Sequence, residues 1–178
     1  MSDTVDLYDN IYGNYETAAE GAVRRSTYGE DIGQSSWMTA EEWLGFSDRL
    51  NIGPGSHVLE VGSGSGGPAV YLATMRGCRV TGIDLNQHGV ANAQKLAGAR
   101  GVADRVSFQM CDATASLPFH TPTFDAIVSN DAMCHLPNRV DVLREWHRLV
   151  RPQKHCLWRP LGLVACRRRW PCPAAEAA

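Results

Sequence analysis

The run Val58-Leu59-Glu60-Val61-Gly62-Ser63-Gly64-Ser65-Gly66-Gly67 constrains this chain more than any other stretch. Apolar residues flank a single carboxylate, and the chain then enters a turn of alternating glycines. A short buried strand running into a glycine turn that opens a helix begins a strand–helix–strand unit. Pro68 suits the first turn of that helix, where its missing amide would have no partner in any case. The helix is predicted to run to about Arg76, with Gly77 past its end.

Strand and helix signals then alternate. Strands are expected at His57–Val61, Arg79–Ile83, Arg105–Met110 and Phe124–Ser129, and helices at about Gly89–Ala99 and Arg139–Val150. That order predicts an α/β fold, a Rossmann-like doubly wound, mostly parallel sheet with helices on both faces. Upstream, Thr39-Ala40-Glu41-Glu42 is a capping box, and the helix it opens turns Trp43, Leu44, Phe46 and Leu50 inward before Gly53-Pro54-Gly55 stops it. Tyr8, Tyr12 and Tyr15 fall on one helical face, which suits a helix docked on the domain or a lid over a ligand. The expected organisation is a helical cap over residues 1–50, a core over 51–152, and a tail over 153–178.

Charge divides the chain at the same place. Residues 1–152 carry 12 Lys and Arg against 18 Asp and Glu, while residues 153–178 carry five against one. Nothing before the tail forms a basic stripe, so neither nucleic acid nor an acidic membrane is an expected partner. No apolar run reaches membrane-spanning length and the polar start is no signal peptide, so a cytoplasmic protein is expected. The six cysteines lack paired spacing, which argues against zinc or a disulfide framework; no metal is expected.

In a doubly wound sheet the ligand lies beyond the carboxyl ends of the strands. Those ends carry Glu60, Asp84, Asp112 and Asn130 here. Any one of the acids would pass as a turn or capping residue. Together, beside the glycines, they point to a polar ligand. Gly62-x-Gly64-x-x-Gly67 formally satisfies the dinucleotide fingerprint, with Asp84 at a suitable distance. Glu60 opposes that reading, because a buried carboxylate repels a pyrophosphate at the helix start and attracts a cationic ligand.

Glu60-x-Gly62-x-Gly64-x-Gly66, then Asp84, Asp112 and Phe124-Asp125-Ala126-Ile127-Val128-Ser129, resemble the successive motifs of class I S-adenosylmethionine-dependent methyltransferases. The resemblance implies that Glu60, Ser63 and the backbone of Gly62, Gly64 and Gly66 hold the methionine end of S-adenosylmethionine. It implies further that Asp84 accepts both ribose hydroxyls with Leu85 against the adenine, and that Asp112 and Ala113 meet the adenine edge. Asn130-Asp131-Ala132-Met133-Cys134-His135 resembles the Asp-x-x-x-His segment of the phosphoethanolamine and sarcosine/dimethylglycine types, which act on small-molecule acceptors. Gly29–Ser36, which includes Gln34, resembles their segment that closes over the donor. By the same resemblance His135, Asp131 and an N-terminal tyrosine work over the acceptor. Tyr15 is the expected tyrosine, with Tyr12 and Tyr28 competing. His57, His88, His120, His147 and His155 read as structural or surface residues.

An inactive module that still holds the nucleotide is the alternative from another class, and a nicotinamide oxidoreductase is a further one. Past Pro152 the resemblance breaks: Gln153-Lys154-His155-Cys156 stand where the family has a glycine pair and a fifth strand. Leu161–Ala165 offers a few residues of strand, but no sequence remains for the last two strands of the family's usual seven, so the C-terminal edge strands are expected to be missing. The tail reads either as a basic appendage or as out-of-frame residues following a frameshift.

Overall fold

The computed structural model describes residues 7–152, 157–158 and 163–166. Three helices lead in: α1 (Leu7–Gly13), α2 (Ala18–Tyr28) and α3 (Ala40–Arg49). Thr39 caps α3 with the reciprocal Thr39–Glu42 capping box expected from sequence. The core then alternates β1 (His57–Val61), α4 (Gly67–Arg76), β2 (Arg79–Asp84), α5 (Gln87–Ala99), β3 (Val106–Met110), β4 (Ala126–Asn130) and α6 (Arg139–Leu149). A single 3-10 turn, Met133–His135, follows β4.

Within the sheet the order is β3-β2-β1-β4, all parallel. The order reverses between β1 and β4, so their carboxyl ends flank the crevice where such folds bind ligands. Strand β1 is buried on both faces, as a central parallel strand must be. Its alternation sends Val58 into one apolar cluster, with Trp43, Val70, Val80 and Phe108, and Leu59 and Val61 into the other, with Phe124, Trp146 and Leu149. Period two puts Glu60 on the face of Val58, toward the start of α4. Beside it the paired residue of β2 is Gly82, where a side chain would collide with the Phe108 ring.

Two expected boundaries shift for local reasons. Strand β4 begins at Ala126, because the Asp125 carboxylate instead accepts from the His57 amide at 2.8 Å and from Arg151 at 3.0 Å. Helix α5 begins earlier than its alanine pattern suggested, because the Asn86 side chain caps it by accepting from the His88 and Gly89 amides.

Past β4 the described residues add two short antiparallel strands. Leu157–Trp158 (β5) and Leu163–Cys166 (β6) complete a six-stranded sheet, with β6 antiparallel to β4 and β5 antiparallel to β6. Leu163-Val164-Ala165-Cys166 is a short apolar run, and pairing it with Ile127–Asn130 covers backbone groups that β4 would otherwise leave open. Residues 153–156, 159–162 and 167–178, on which the basic-appendage and frameshift readings mostly rest, lie outside the described residues.

The N-terminal segment reaches the core through a glycine. At Gly67 a Cβ would collide with the backbone of Ile32 and Gly33, so only glycine lets that segment cross the start of α4. Gly67→Ala is expected to lower stability by about 1–3 kcal/mol and to speed proteolysis upstream of Gly33 relative to the core. A melting curve and a limited-digestion time course check both; unchanged cleavage would show that the crossing is not closely packed.

Candidate active site

The carboxyl ends of β1, β2 and β4 open into a cavity of about 780 Å³. Glu60, Gly62, Ser63, Gly64, Asp84, Leu85, Asp112, Ala113, Asn130, Asp131 and His135 all line it. Three residues expected at the site do not. Gly66 lies beneath the turn, where an added Cβ would meet Ala93 and Phe108. Gln34 is buried and braces its own loop, accepting from the Ile32 amide at 3.0 Å and donating to the Glu30 carbonyl at 3.2 Å. Tyr15 is buried outside the lining, its hydroxyl donating to the Gly33 carbonyl at 3.0 Å.

Glu60 dominates the electrostatics. Its side chain is 2% exposed and its Oε2 has no hydrogen-bond partner; the same holds for the Ser63 hydroxyl beside it. Burial pushes the carboxyl up to about 8, the nearby Asp84 carboxylate adds to the rise, and the Ala69 amide opposes it. Buried polar atoms without partners are rare in folded proteins. Two of them on the wall of one cavity mark where a ligand's donors would go.

The glycine turn is shaped by what packs on it. Gly62 has φ +74°, and a Cβ there would collide with the Ala132 methyl. Gly64 has φ +50° and packs against the Tyr12 ring. Asp84 ties this turn to the end of β2, accepting from the Gly64 amide at 2.7 Å and from the Asn86 amide at 2.9 Å. Asp112 is more open; bonds from the Thr114 hydroxyl and amide hold its carboxyl below the usual range.

At the other end, β4 delivers Asn130 and Asp131. Asn130 donates to the Ser36 hydroxyl, and Asp131 accepts from the Trp37 amide at 2.8 Å. Asp131 has φ +53°, a conformation uncommon outside glycine, and it turns the chain into the 3-10 turn that carries His135. There His135 Nε2 stands 2.7 Å from the Tyr8 hydroxyl, with the two rings edge to face. Tyr8, and not Tyr15, is thus the tyrosine beside His135. Helix α1 ends at Gly13, so Tyr15 has left the face that Tyr8 and Tyr12 share. Burial pushes the Tyr15 phenol up to about 12 although Arg24 stacks 4.6 Å above the ring.

Ties from α5 hold the N-terminal segment over the cavity: Asn86 to Asp9 at 2.6 Å, Asn92 to the Tyr12 carbonyl at 2.8 Å, and Lys95 to Glu16 at 2.5 Å. Tyr8, Tyr12 and Trp37 also line the cavity, and of these only Tyr12 had been weighed for the site from sequence, as a competitor to Tyr15. The tyrosine face was the one signal available for the first two.

Residues 59–158 match the family profile of the methyltransferase domain. The chain belongs to the methyltransferase domain family. As a family member it is 38% identical over 105 residues to methyltransferase GfsG of Streptomyces halstedii, covering 59% of this chain and 37% of that one. It is 34% identical over 122 residues to the sarcosine/dimethylglycine N-methyltransferase of Halorhodospira halochloris, covering 68% of this chain and 43% of that one. Among solved structures it resembles the SAM-dependent methyltransferase from Thiobacillus denitrificans in complex with S-adenosyl-L-homocysteine, with TM-score 0.59, 25% identity, and coverage of 73% of this chain and 51% of that one. The methyltransferase relatives named here are thus matched over about a third to a half of their length. Among the described residues no helix is long and apolar enough to cross a membrane, and no group of His, Cys, Asp and Glu is placed to hold a metal.

Proposed function

We propose that this chain binds S-adenosylmethionine and transfers its methyl group to a small-molecule acceptor. The observation that carries the proposal is Glu60, a buried carboxyl with an unpartnered oxygen on the wall of a cavity beside a glycine turn. Isolated, such a group is costly. An ammonium laid against Glu60 and hydrogen bonds to Ser63 would satisfy both orphaned atoms.

In this reading Glu60, Gly62, Ser63 and Gly64 hold the methionine end. Asp84 takes the ribose hydroxyls, Leu85 lies on the adenine, and Asp112 and Ala113 meet its edge. The donor supplies an electrophilic methyl on a sulfonium. The chain's own contribution is to align the acceptor and take its proton: the acceptor oxygen or nitrogen bonds to the methyl carbon as the sulfur–carbon bond breaks toward sulfur. In-line displacement draws most of its rate from such positioning. The Tyr8–His135 pair is the proton acceptor, and Asp131 and Asn130 position the turn that carries it. Gln34, Tyr15 and Gly66 act by bracing the loop and the turn.

Calorimetric titration with S-adenosylmethionine, S-adenosylhomocysteine and NAD tests the reading. The first two are expected to bind one per chain and NAD not at all. Asp84→Ala is expected to weaken both by roughly 10- to 100-fold, since a paired hydroxyl contact and the brace on Gly64 are lost together. Binding of NAD alone would replace this reading with the oxidoreductase one. Binding of the donor without transfer to any acceptor would favour an inactive nucleotide-holding module.

A further inference from the structure

Resting on that donor reading, we propose that the acceptor is an uncharged, hydroxyl-bearing molecule with a flat apolar body, and neither a carboxylate nor a phosphate ester. The first observation is charge. The described residues lining the cavity include no lysine or arginine, and with Glu60, Asp84 and Asp112 given to the donor in that reading, Asp131 is the acidic side chain left to the acceptor. An anionic acceptor taken out of water needs a cationic or multiply donating partner. At the β4 end it would instead face the Asp131 carboxylate, fixed there by the Trp37 amide.

A cationic acceptor would gain from Asp131 but meets a different penalty. The sulfonium that must lie in line with the acceptor is itself positive, and like charges brought together in a partly dry cleft repel. A neutral acceptor avoids both penalties.

The second observation is the surface offered. Trp37 is held by its amide, yet its side chain is 84% exposed at the cavity wall. Ala132, Leu136 and Pro137 continue that apolar lining. An acceptor with a flat apolar body would remove the indole face from water, a gain that scales with the area covered. The third observation is the Tyr8–His135 contact at 2.7 Å. A hydroxyl acceptor must lose its proton as the oxygen–carbon bond forms, and the imidazole nitrogen, directly or through the phenol, receives it.

The test uses the full chain loaded with sinefungin, an unreactive donor analogue with an amine in the sulfonium's place. Three ring-matched probes are titrated at pH 7: para-hydroxyphenylacetamide (neutral), para-hydroxyphenylacetate (anionic) and tyramine (cationic). The amide is expected to bind at least roughly tenfold more tightly than either ion. In Trp37→Ala the amide should weaken by about tenfold, and in Asp131→Asn the acetate should approach the amide. If sinefungin fails to bind, the donor reading falls and this inference with it. If sinefungin binds and the acetate or tyramine matches the amide, or no probe binds, this inference alone is overturned.

Discussion

Glu60→Gln is expected to make the ligand-free protein more heat-stable at pH 8 while abolishing donor binding. Burial pushes the Glu60 carboxyl from the ordinary carboxylate range up to about 8. The folded state therefore holds a proton that the unfolded chain releases. A group shifted upward stabilises the fold fully below its unfolded value, and that contribution is lost as the pH rises through the folded value. Between about pH 4.5 and 8 the wild type should thus lose stability on the order of a few kcal/mol, and glutamine, which does not ionise, should lose none of it. For a domain of this size that is roughly 5–10 °C in melting temperature. Binding runs the other way. The ligand's ammonium needs the carboxylate, so each wild-type binding event near neutrality must expel the proton. Affinity should rise about tenfold per pH unit between pH 6 and 8 and level off above. The variant should show neither the affinity nor the slope. Calorimetry in two buffers of different ionisation enthalpy reads the proton release directly. A variant that melts no higher at pH 8, or binds the donor as well as wild type, would contradict the assignment.

That effect depends on a residue whose peculiarity is legible in the sequence. Glu60 interrupts an apolar strand next to a glycine turn, and a carboxyl buried there without a partner is costly. The same local logic made the α3 capping box, the helix after Pro68 and the four parallel strands legible. Each follows from residues a few positions apart. Asp84 and Asp112 were placed at the strand ends for the same reason. What the sequence left open is what long-range packing decides. Tyr8 and His135 are separated by 127 positions, and no spacing rule joins them. Tyr15 matched the helical period, but α1 stops at Gly13 and the chain redirects it onto the Gly33 carbonyl. Gln34 lies in the loop that crosses the start of α4 yet faces inward, because its amide satisfies that loop's own backbone. Strand β6 was only half legible: the apolar run was there, whereas the open edge of β4 that it pairs with is a property of the assembled sheet.

The contrast between the two tyrosines supplies the second large effect. With a hydroxyl acceptor that the enzyme methylates, His135→Ala is expected to lower kcat by about 100-fold, the ordinary range for losing a positioned base. Donor affinity should hold, because in the proposed reading His135 meets the acceptor and Glu60 holds the donor. Tyr8→Phe removes the hydroxyl that lies 2.7 Å from the imidazole and should cost about tenfold in kcat. Tyr15→Phe removes only the bond to Gly33. It should cost about 1 kcal/mol of stability, with kcat close to wild type once the protein is folded. Steady-state kinetics of the three variants, beside their melting curves, separates a tyrosine that meets the acceptor from one that holds the chain in place. Equal losses of kcat in Tyr8→Phe and Tyr15→Phe would remove the distinction drawn from their placement. A His135→Ala enzyme as fast as wild type would mean that the acceptor's proton leaves by another route.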